Sequence, residues 1–438
     1  MSLRTHLTAL EASGLIRLAE VQPELEYLFR HALVQDAAYA SLVKADRKQL
    51  HHAVGEALER LYSDRQDELA GVLALHFTAA GENEKAIHYS RLAAHRAEST
   101  YAYGEAIQHL LAALDLIEPG QQVETRLAIL EELADDHRTL REGAKAVSVY
   151  QSALELWAGP ASGASADALI AARLHRRIIE TVFNMTWGVP HAQREAMSQV
   201  AEASRAALAA RLKQAETEPP HPEIVRALVA LANDAWLLSF PPRWDEAERW
   251  ARAAVKLAEQ LDAPGELSAA LDALASVHYG YGRLREHLDV SRRRLALSRE
   301  PRFGDRREQV HILGSVGSAL VYVGEYTQAL PYVLEAESLS DHIRAVERRV
   351  HALGLQSQCC FRLDRWDDMF QIDEKRAEME KLYPRERMGL TCFEIGLAAT
   401  VHALRGEFDH AKLLREQAYA IMASTSGAPE NWWRNQHY

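Results

Sequence analysis

Twelve aromatic and polar residues between positions 184 and 400 could together bind a ligand. Aromatic rings stack on planar or apolar groups, amides and hydroxyls form hydrogen bonds, and a guanidinium pairs with an anion. We project these residues onto one face of the predicted helices: Asn184, Trp187, Asn233, Trp236, Phe240, Ser276, Tyr279, Ser318, Tyr322, Gln358, Arg362 and Thr400. Such a face suits an extended peptide, a protein partner or a sugar-like small molecule. The alternative is that the aromatic residues are core residues that pack between repeats.

The motifs of the common catalytic sites are missing from the sequence. It contains no GxxxxGK[ST] phosphate-binding loop, no HExxH or CxxC metal pattern and no GxSxG nucleophile motif. The 20 histidines are scattered, and no two of them converge with an acidic residue at ligand spacing. Cys359 and Cys360 lie on a predicted helix where small and apolar residues are expected, which favours burial. We therefore predict no enzymatic activity, no catalytic or metal-binding residue and no cofactor.

Composition narrows the class of protein and of partner. The formal net charge of −12 argues against a broad nucleic-acid-binding surface, so nucleic acid is not the expected partner. Three cysteines in 438 residues do not form a disulfide framework, which favours a reducing compartment. The sequence has no signal peptide and no apolar run of about 20 residues. We predict a cytoplasmic protein that does not span a membrane.

The elements that must position the twelve residues repeat along the chain. Nine anchor positions, most of them alanine, each open a predicted helix: Ala86, Ala106, Ala146, Ala196, Ala247, His287, Ala329, Met369 and Ala411. The last four intervals between anchors are 40, 42, 40 and 42 residues. A second small residue usually follows seven positions later, which returns to the same helical face. This pattern predicts helical hairpins whose axes approach closely at the small residues.

The clearest copy of this pattern covers residues 311–338. Small residues at Gly317, Ala329 and Ala336 alternate with large apolar ones, and Gly324 separates two amphipathic halves. The segment resembles a tetratricopeptide repeat (TPR), although the spacing exceeds the usual period of about 34 residues. The resemblance implies an all-α, TPR-like superhelix, or solenoid, whose first helices line the concave side.

Several features depart from this regular pattern. Met369 and Arg376 replace the two small residues of one hairpin, and we expect that helix to stand further from its neighbour. Loops at 158–166 and 215–222 lengthen two intervals. Three glycines recur at spacings of 40 and 42 residues, and they permit either tight helix packing or the approach of a ligand to the backbone: Gly314, Gly354 and Gly396.

Different patterns mark the two ends of the chain. Residues 7–16 predict a helix closed by Gly14, and a strand, a turn at Gln22-Pro23, a second strand and another helix follow. This order looks like the second half of a winged helix. We expect the chain to be a fragment of a longer protein. At its C-terminal end either further repeats were removed or Trp432 and Trp433 fold back over the exposed end, and we favour truncation with local packing of the tail.

The segment Phe29–Leu42 (FRHALVQDAAYASL) is similar to a segment in bacterial signalling ATPases of the STAND class, which include regulators of the maltose-activator type. In those proteins the segment closes a winged helix after the nucleotide-binding core, and TPR-like repeats follow. The resemblance implies that His31 contacts a bound nucleotide in the full-length protein. The alternative is that His31 only caps the start of the next helix.

Together these patterns predict three regions. Residues 1–45 would form the C-terminal half of a winged-helix domain, 46–66 a connecting helix, and 67–438 a TPR-like α-solenoid. The resemblance implies a non-enzymatic regulatory and sensor region of a signalling ATPase or transcriptional regulator, which binds a protein, a peptide or a small inducer on the concave face. The alternative function is a constitutive protein–protein scaffold without ligand sensing.

Overall fold

The computed structural model confirms the all-α prediction over the residues that it describes, which are 3–20, 26–159, 168–185, 191–215, 219–239, 242–300, 303–382 and 391–424. These residues form twenty α-helices, one π-helix and one two-stranded sheet. Contacts divide the chain into two compact units, residues 1–142 with 159–162 and residues 143–158 with 163–438. The sequence did not indicate this division. The predicted domain limits at residues 45 and 66 stay predictions.

The first unit begins with the predicted helix, hairpin and helix. These elements are α1 (Leu3–Ala12), β1 (Ile16–Glu20), β2 (Glu26–Phe29) and α2 (Ala32–Ser41). Gly14 adopts a φ of +75° after α1, and β1 pairs antiparallel with β2 so that Ile16 lies opposite Phe29. The turn predicted at Gln22-Pro23 lies outside the described residues. Membership of a winged helix stays a prediction.

The rest of the first unit is a run of helices that each pack on the next. They are α3 (Lys44–Leu61), α4 (Ala70–Ala80), α5 (Asn83–Ser99), α6 (Tyr103–Asp115) and α7 (Val123–Thr139). Because α5 packs on both α4 and α6, consecutive helices share neighbours, which explains the interval of only 20 residues between Ala86 and Ala106. Phe77 and Tyr89 stack in the core of this unit, with ring centroids 5.6 Å apart.

The second unit is built from helical hairpins. Its helices are α8 (Gly143–Ala158), α9 (Ala168–Met185), α10 (His191–Ala215), α11 (Pro222–Asn233), α12 (Trp244–Leu261), α13 (Pro264–Gly280), α14 (Leu284–Ser298), α15 (Arg306–Tyr322), α16 (Tyr326–His342), α17 (Val346–Arg362), α18 (Trp366–Leu382), α19 (Thr391–Leu404) and α20 (Phe408–Ser424). Each hairpin pairs an odd-numbered helix with the next one, and α11 also contacts α13 while α15 contacts α17. This is the packing of a TPR-like solenoid.

Small residues sit where the sequence predicts close helix contact. Ala247, Ala254 and Ala329 are fully buried, and Ala336 is almost so. A Cβ atom on Gly317 would lie 2.4 Å from Cγ1 of Val333, so only glycine lets α15 and α16 approach this closely. The prediction of hairpins anchored on small residues is confirmed.

A buried carboxyl group distinguishes α7 of the first unit. Asp136 is 4% exposed, and its Oδ2 accepts no hydrogen bond from a described residue. Burial, followed by the negative charges of Glu98, Asp135 and Glu132, raises the pKa of Asp136 to about 7. The folded protein therefore favours the protonated form of this side chain.

Because the pKa of Asp136 is higher in the folded than in the unfolded chain, we expect this residue to reduce stability as the pH rises from about 4 to about 7. Asp136→Asn should abolish that dependence and raise the free energy of unfolding at pH 8 by about 1–2 kcal/mol. Urea unfolding at pH 5 and pH 8 measures both effects. Asp115→Asn, at an exposed position of α6, is the control. An equal gain from the two variants would contradict this account.

Candidate ligand-binding face

Two predicted site residues from different hairpins meet in the second unit. The rings of Tyr279 on α13 and Tyr322 on α15 stack, with centroids 4.7 Å apart and planes 27° apart. Both side chains are half-buried. This tyrosine pair links successive first helices, so a ligand that contacts both rings would contact two hairpins at once.

A buried histidine lies behind the tyrosine pair. The ring centroid of His287 is 5.6 Å from that of Tyr279 and 6.3 Å from that of Tyr322. Its Nδ1 donates to the carbonyl oxygen of Ala275 at 2.8 Å, and burial lowers its pKa. The imidazole is therefore neutral with its proton on Nδ1. Its Nε2 is buried without a hydrogen-bond partner among the described residues.

A second aromatic group surrounds Trp236, which lies in a π-helix (Asp234–Leu238) at the end of α11. The indole rings of Trp236 and Trp244 are 6.4 Å apart and nearly parallel. Trp236 Nε1 donates to Oδ1 of Asn233 at 3.4 Å, which joins two predicted site residues. A Cβ on Gly280 would lie 2.6 Å from Trp244, so α13 approaches this group closely only because residue 280 is glycine.

The remaining predicted residues are not gathered at one point. Ser276 and Gln358 are half-buried, and Ser318 is buried. Arg362 is exposed and lies over the rings of other aromatic residues, 5.9 Å from the centroid of Tyr326. The Thr400 hydroxyl donates to the carbonyl oxygen of Gly396 at 2.9 Å. Trp187, Phe240 and the side chain of Asn184 lie outside the described residues.

The row of glycines is required for helix packing at one of its three positions. A Cβ on Gly314 would touch His351 of the next first helix at 3.6 Å, and one on Gly354 would overlap Glu394 at 1.8 Å. Apart from the two adjacent residues and the backbone of its own helix, no described atom lies within 4 Å of the Cβ position at Gly396. Gly354 thus lets α17 and α19 approach, as one of the two interpretations requires, whereas the distance at Gly314 is an ordinary van der Waals contact.

Sequence reasoning missed a buried arginine beside this face. Arg294 stands seven residues after the His287 anchor, where other hairpins carry alanine, and it is 2% exposed. Its guanidinium donates to Ser268 Oγ at 2.9 Å, to Glu308 Oε1 at 2.6 Å and to Asp272. We call these four residues the arginine cluster. Arg294 reaches from α14 to the first helices of its own hairpin and of the next, so it connects three helices.

Burial alone would raise the pKa of Glu308, but hydrogen bonds from His311, Ser268 and Arg294 and the Arg294 charge outweigh it. The pKa of this carboxyl group is therefore held well below its usual range. The charged form that the arginine cluster needs is stable at neutral pH.

Arg376 forms a similar buried contact two hairpins further on. It replaces the second small residue of α18, is almost fully buried, and its Nε lies 3.2 Å from Oε2 of Glu394 on α19. Sequence spacing identified the substitution but not the acidic partner. One sequence signal could have identified this partner. For each arginine that replaces one of the recurring alanines, an acidic residue is expected on the first helix of the following hairpin.

The first unit carries a separate groove of about 420 Å³ between α5 and α7. Its lining is mixed polar and apolar and consists of Glu84, Ile87, His88, Arg91, Leu92, His95, Gln122 and Thr125. Arg91 Nη2 donates to Glu132 Oε1 at 2.5 Å, so its charge is largely compensated within the protein. The sequence gave no indication of this groove because its residues come from helices 40 positions apart.

His31 occupies the N-cap position of α2, as the capping interpretation requires, but its side chain makes no capping hydrogen bond and is exposed. Its contact with a nucleotide stays a prediction. Cys359 and Cys360 are both buried, as expected, and burial raises the pKa of Cys359 to about 12. These thiols are therefore protonated and shielded.

No group of three or more His, Cys, Asp or Glu side chains in the described ranges is placed to hold a metal ion. Of the helices that the structure describes, none has the length and hydropathy needed to cross a membrane.

The architecture defines the class: the chain has the fold of TPR-like helical-repeat proteins. No protein-family model and no curated protein sequence matches it. Among solved structures, it is similar to a STAND signal-transduction ATPase with a tetratricopeptide repeat sensor from Pyrococcus horikoshii, at TM-score 0.53 and 12% identity. That match covers 96% of this chain and 59% of the other. At such identity the similarity shows the fold alone.

Two further structures resemble the chain less closely. A Rap protein in complex with competence and sporulation factor matches at TM-score 0.49 and 12% identity, over 88% of this chain and 100% of the other. BtubC (BKLC) from P. vanneervenii matches at TM-score 0.44 and 17% identity, over 51% of this chain and 91% of the other.

Proposed function

We propose that this chain is the regulatory, ligand-sensing and protein-interaction region of a signalling ATPase or transcriptional regulator. The observation that carries the proposal is the tyrosine pair, because it exposes stackable surface from two successive hairpins at one place. A peptide or small inducer that stacks on both rings would bind best at one spacing of α13 and α15. Differential affinity for two arrangements of the hairpins is what a sensor requires.

The exposed apolar surface of the N-terminal segment supports attachment to a further domain. Within residues 3–43, Ile16 is the one described hydrophobic side chain that is fully buried, whereas Leu10, Leu28, Phe29 and Leu33 are all exposed. A segment with so little core of its own gains stability by packing against another surface. The fold similarity to a STAND protein with a repeat sensor agrees with such an arrangement.

A thermal-shift screen of the full chain against peptides, sugars and nucleotides tests the sensor function. We expect one compound class to raise the melting temperature by several degrees, since a ligand at about 100 times its Kd stabilises by about 2.7 kcal/mol. Tyr279→Ala and Tyr322→Ala should each weaken that binding at least about tenfold. Tyr419→Ala, which removes an exposed tyrosine from α20, is the matched control.

Three results would count against the proposal. Binding that survives both tyrosine substitutions would place the ligand elsewhere. Equal weakening by Tyr419→Ala would show a non-specific effect. A protein captured by the chain, with no shift from any small molecule or peptide, would favour the constitutive scaffold instead.

A further inference from the structure

The exposed side of α3 carries an apolar stripe with the spacing of a coiled-coil seam. The stripe begins at the N-cap residue Val43 and continues along the helix at intervals of seven, four, three and four positions: Val43, Leu50, Val54, Ala57 and Leu61. The four larger side chains are between 41% and 67% exposed. We call this set the α3 stripe.

The side of α3 that adjoins the stripe already has its partner. Gly55 and Leu58 face α4, where a Cβ on Gly55 would lie 2.9 Å from Phe77, and Leu58 packs on the core of the first unit. The α3 stripe therefore lies beside the packed face of the helix, and its larger side chains stay exposed. A seam with a and d spacing on such a helix fits another helix with the same spacing.

We propose that the α3 stripe pairs with the α3 stripe of a second copy of this chain, in an antiparallel two-helix arrangement. Antiparallel pairing about a twofold axis at residue 52 sets Leu50 opposite Val54 of the second copy, and Val43 opposite Leu61. The same axis places Arg47, whose guanidinium lies 5.2 Å from the centroid of the Tyr39 ring on α2, opposite Ala57, so the longest side chain meets the smallest. Each layer combines a larger with a smaller side chain, which is what a filled seam needs.

The charges beside the α3 stripe are complementary under the same symmetry. Asp46 and Arg60 occupy the flanking positions at the two ends of α3, and both are exposed. Neither forms an ion pair within the described part of the chain. In the antiparallel dimer Asp46 of each copy faces Arg60 of the other, which gives two ion pairs. A parallel dimer would set Asp46 opposite His51 and leave Arg60 unmatched.

A second copy explains these features better than an unrelated partner does. The apolar layers are centred on residue 52 and the charged pair on residue 53, which is the offset between core and flanking positions of one antiparallel seam. Self-complementarity of this kind is a requirement of a twofold interface. The helix is about 27 Å long, which provides only two to three heptads. We therefore expect a reversible dimer with a Kd in the range of about 1–50 μM rather than an obligate one.

Analytical ultracentrifugation of the full chain, at concentrations up to about 100 μM, measures the dimer Kd. Variants that reverse the charges of Asp46 and Arg60 test the proposal. Asp46→Arg and Arg60→Asp should each raise the dimer Kd about tenfold, because two ion pairs become repulsive. The double variant restores both pairs with opposite polarity and should return the Kd to within about threefold of the original. A dimer that neither single change weakens, or that the double change does not restore, overturns the antiparallel arrangement.

Asp46 and Arg60 lie in the first and last turns of α3, so charge reversal there also changes the stability of the helix ends. A second pair of variants, in the middle of the helix, avoids this effect. Leu50→Glu buries a charge at the centre of the seam in both copies and should raise the Kd about 100-fold. Gln49→Glu adds the same charge at the neighbouring exposed position outside the stripe and should leave the Kd within about threefold. Equal effects of the two variants, or a wild-type chain that stays monomeric at the highest concentration, would overturn the proposal.

Discussion

Arg294→Ala is expected to lower the free energy of unfolding of the second unit by about 3–5 kcal/mol. The substitution leaves the carboxylates of Asp272 and Glu308 close together without the cation that compensates them. It also removes the donor to Ser268 Oγ and leaves a cavity where the guanidinium lay. Urea unfolding followed by circular dichroism measures the loss.

The neighbouring residue offers a matched control for this experiment. Arg293 carries the same side chain on the same helix but is half-exposed, and its ion pair with Glu259 lies at the surface. Arg293→Ala should therefore cost less than about 1 kcal/mol. Similar losses from the two alanine variants would show that the buried contacts of Arg294 add little.

The arginine cluster also predicts how the free energy of unfolding changes as the pH falls. The pKa of Glu308 is lower in the folded than in the unfolded chain, so its contribution is complete above about pH 5 and is lost as the pH falls towards the folded-state value. Without Arg294 that contribution shrinks. We expect Arg294→Ala to flatten the decline in stability between about pH 5 and pH 2.

Gly354→Ala is the second change with a large expected effect, a loss of about 3 kcal/mol. The new Cβ would lie 1.8 Å from Oε1 of Glu394, so the carboxylate must move. Glu394 is 3% exposed and lies beside the buried guanidinium of Arg376. Displacing it separates two buried charges, and the thermal unfolding temperature of the second unit reports the cost.

Gly396→Ala should increase the stability of the protein, whereas Gly354→Ala should decrease it. Position 396 lies inside α19, and apart from the two adjacent residues and the backbone of its own helix no described atom is within 4 Å of its Cβ position. Alanine is preferred over glycine inside a helix by about 1 kcal/mol, so this variant should be slightly more stable than the original. If Gly354→Ala proved equally stabilising, the tight packing between α17 and α19 would be refuted.

The hairpins were predictable from sequence because close helix packing leaves a local signature. Where two axes approach, a small residue is needed, and it recurs on the same face seven positions later. Ala247 and Ala254 on α12 carry that signature and are fully buried. Glycine turns were predictable for a similar reason, since Gly282 and Gly324 adopt φ values of +78° and +84°.

Other turns left no signature. Tyr101 and Arg344 take the same left-handed conformation between helices, with φ values of +62° and +54°. This conformation costs a non-glycine residue about 1–2 kcal/mol, which packing of the flanking helices must offset. This compensation depends on contacts between packed helices. The left-handed turns at these two residues therefore cannot be predicted from the local sequence.

The candidate site was predictable only in part for the same reason. The helical register placed Tyr279 and Tyr322 on one face, but their contact depends on how α13 and α15 are set against each other. Arg294 would be assigned to the surface by any local rule, because its partners Asp272 and Glu308 lie 22 and 14 residues away. The π-helix that holds Trp236 was likewise not predicted.

Arg294 has a consequence for how this array can lengthen or shorten during evolution. Its cation lies on one hairpin, and one of its anions lies on the next. A hairpin inserted after α14 would keep this pairing only if its first helix carried a carboxylate at the position of Glu308. A copy of α13 would supply one, because Glu266 stands at the matching position 42 residues earlier, whereas α17 carries Arg348 there. Recombination within this part of the gene is therefore tolerated only where the new neighbour brings the acid, so not every hairpin can replace another.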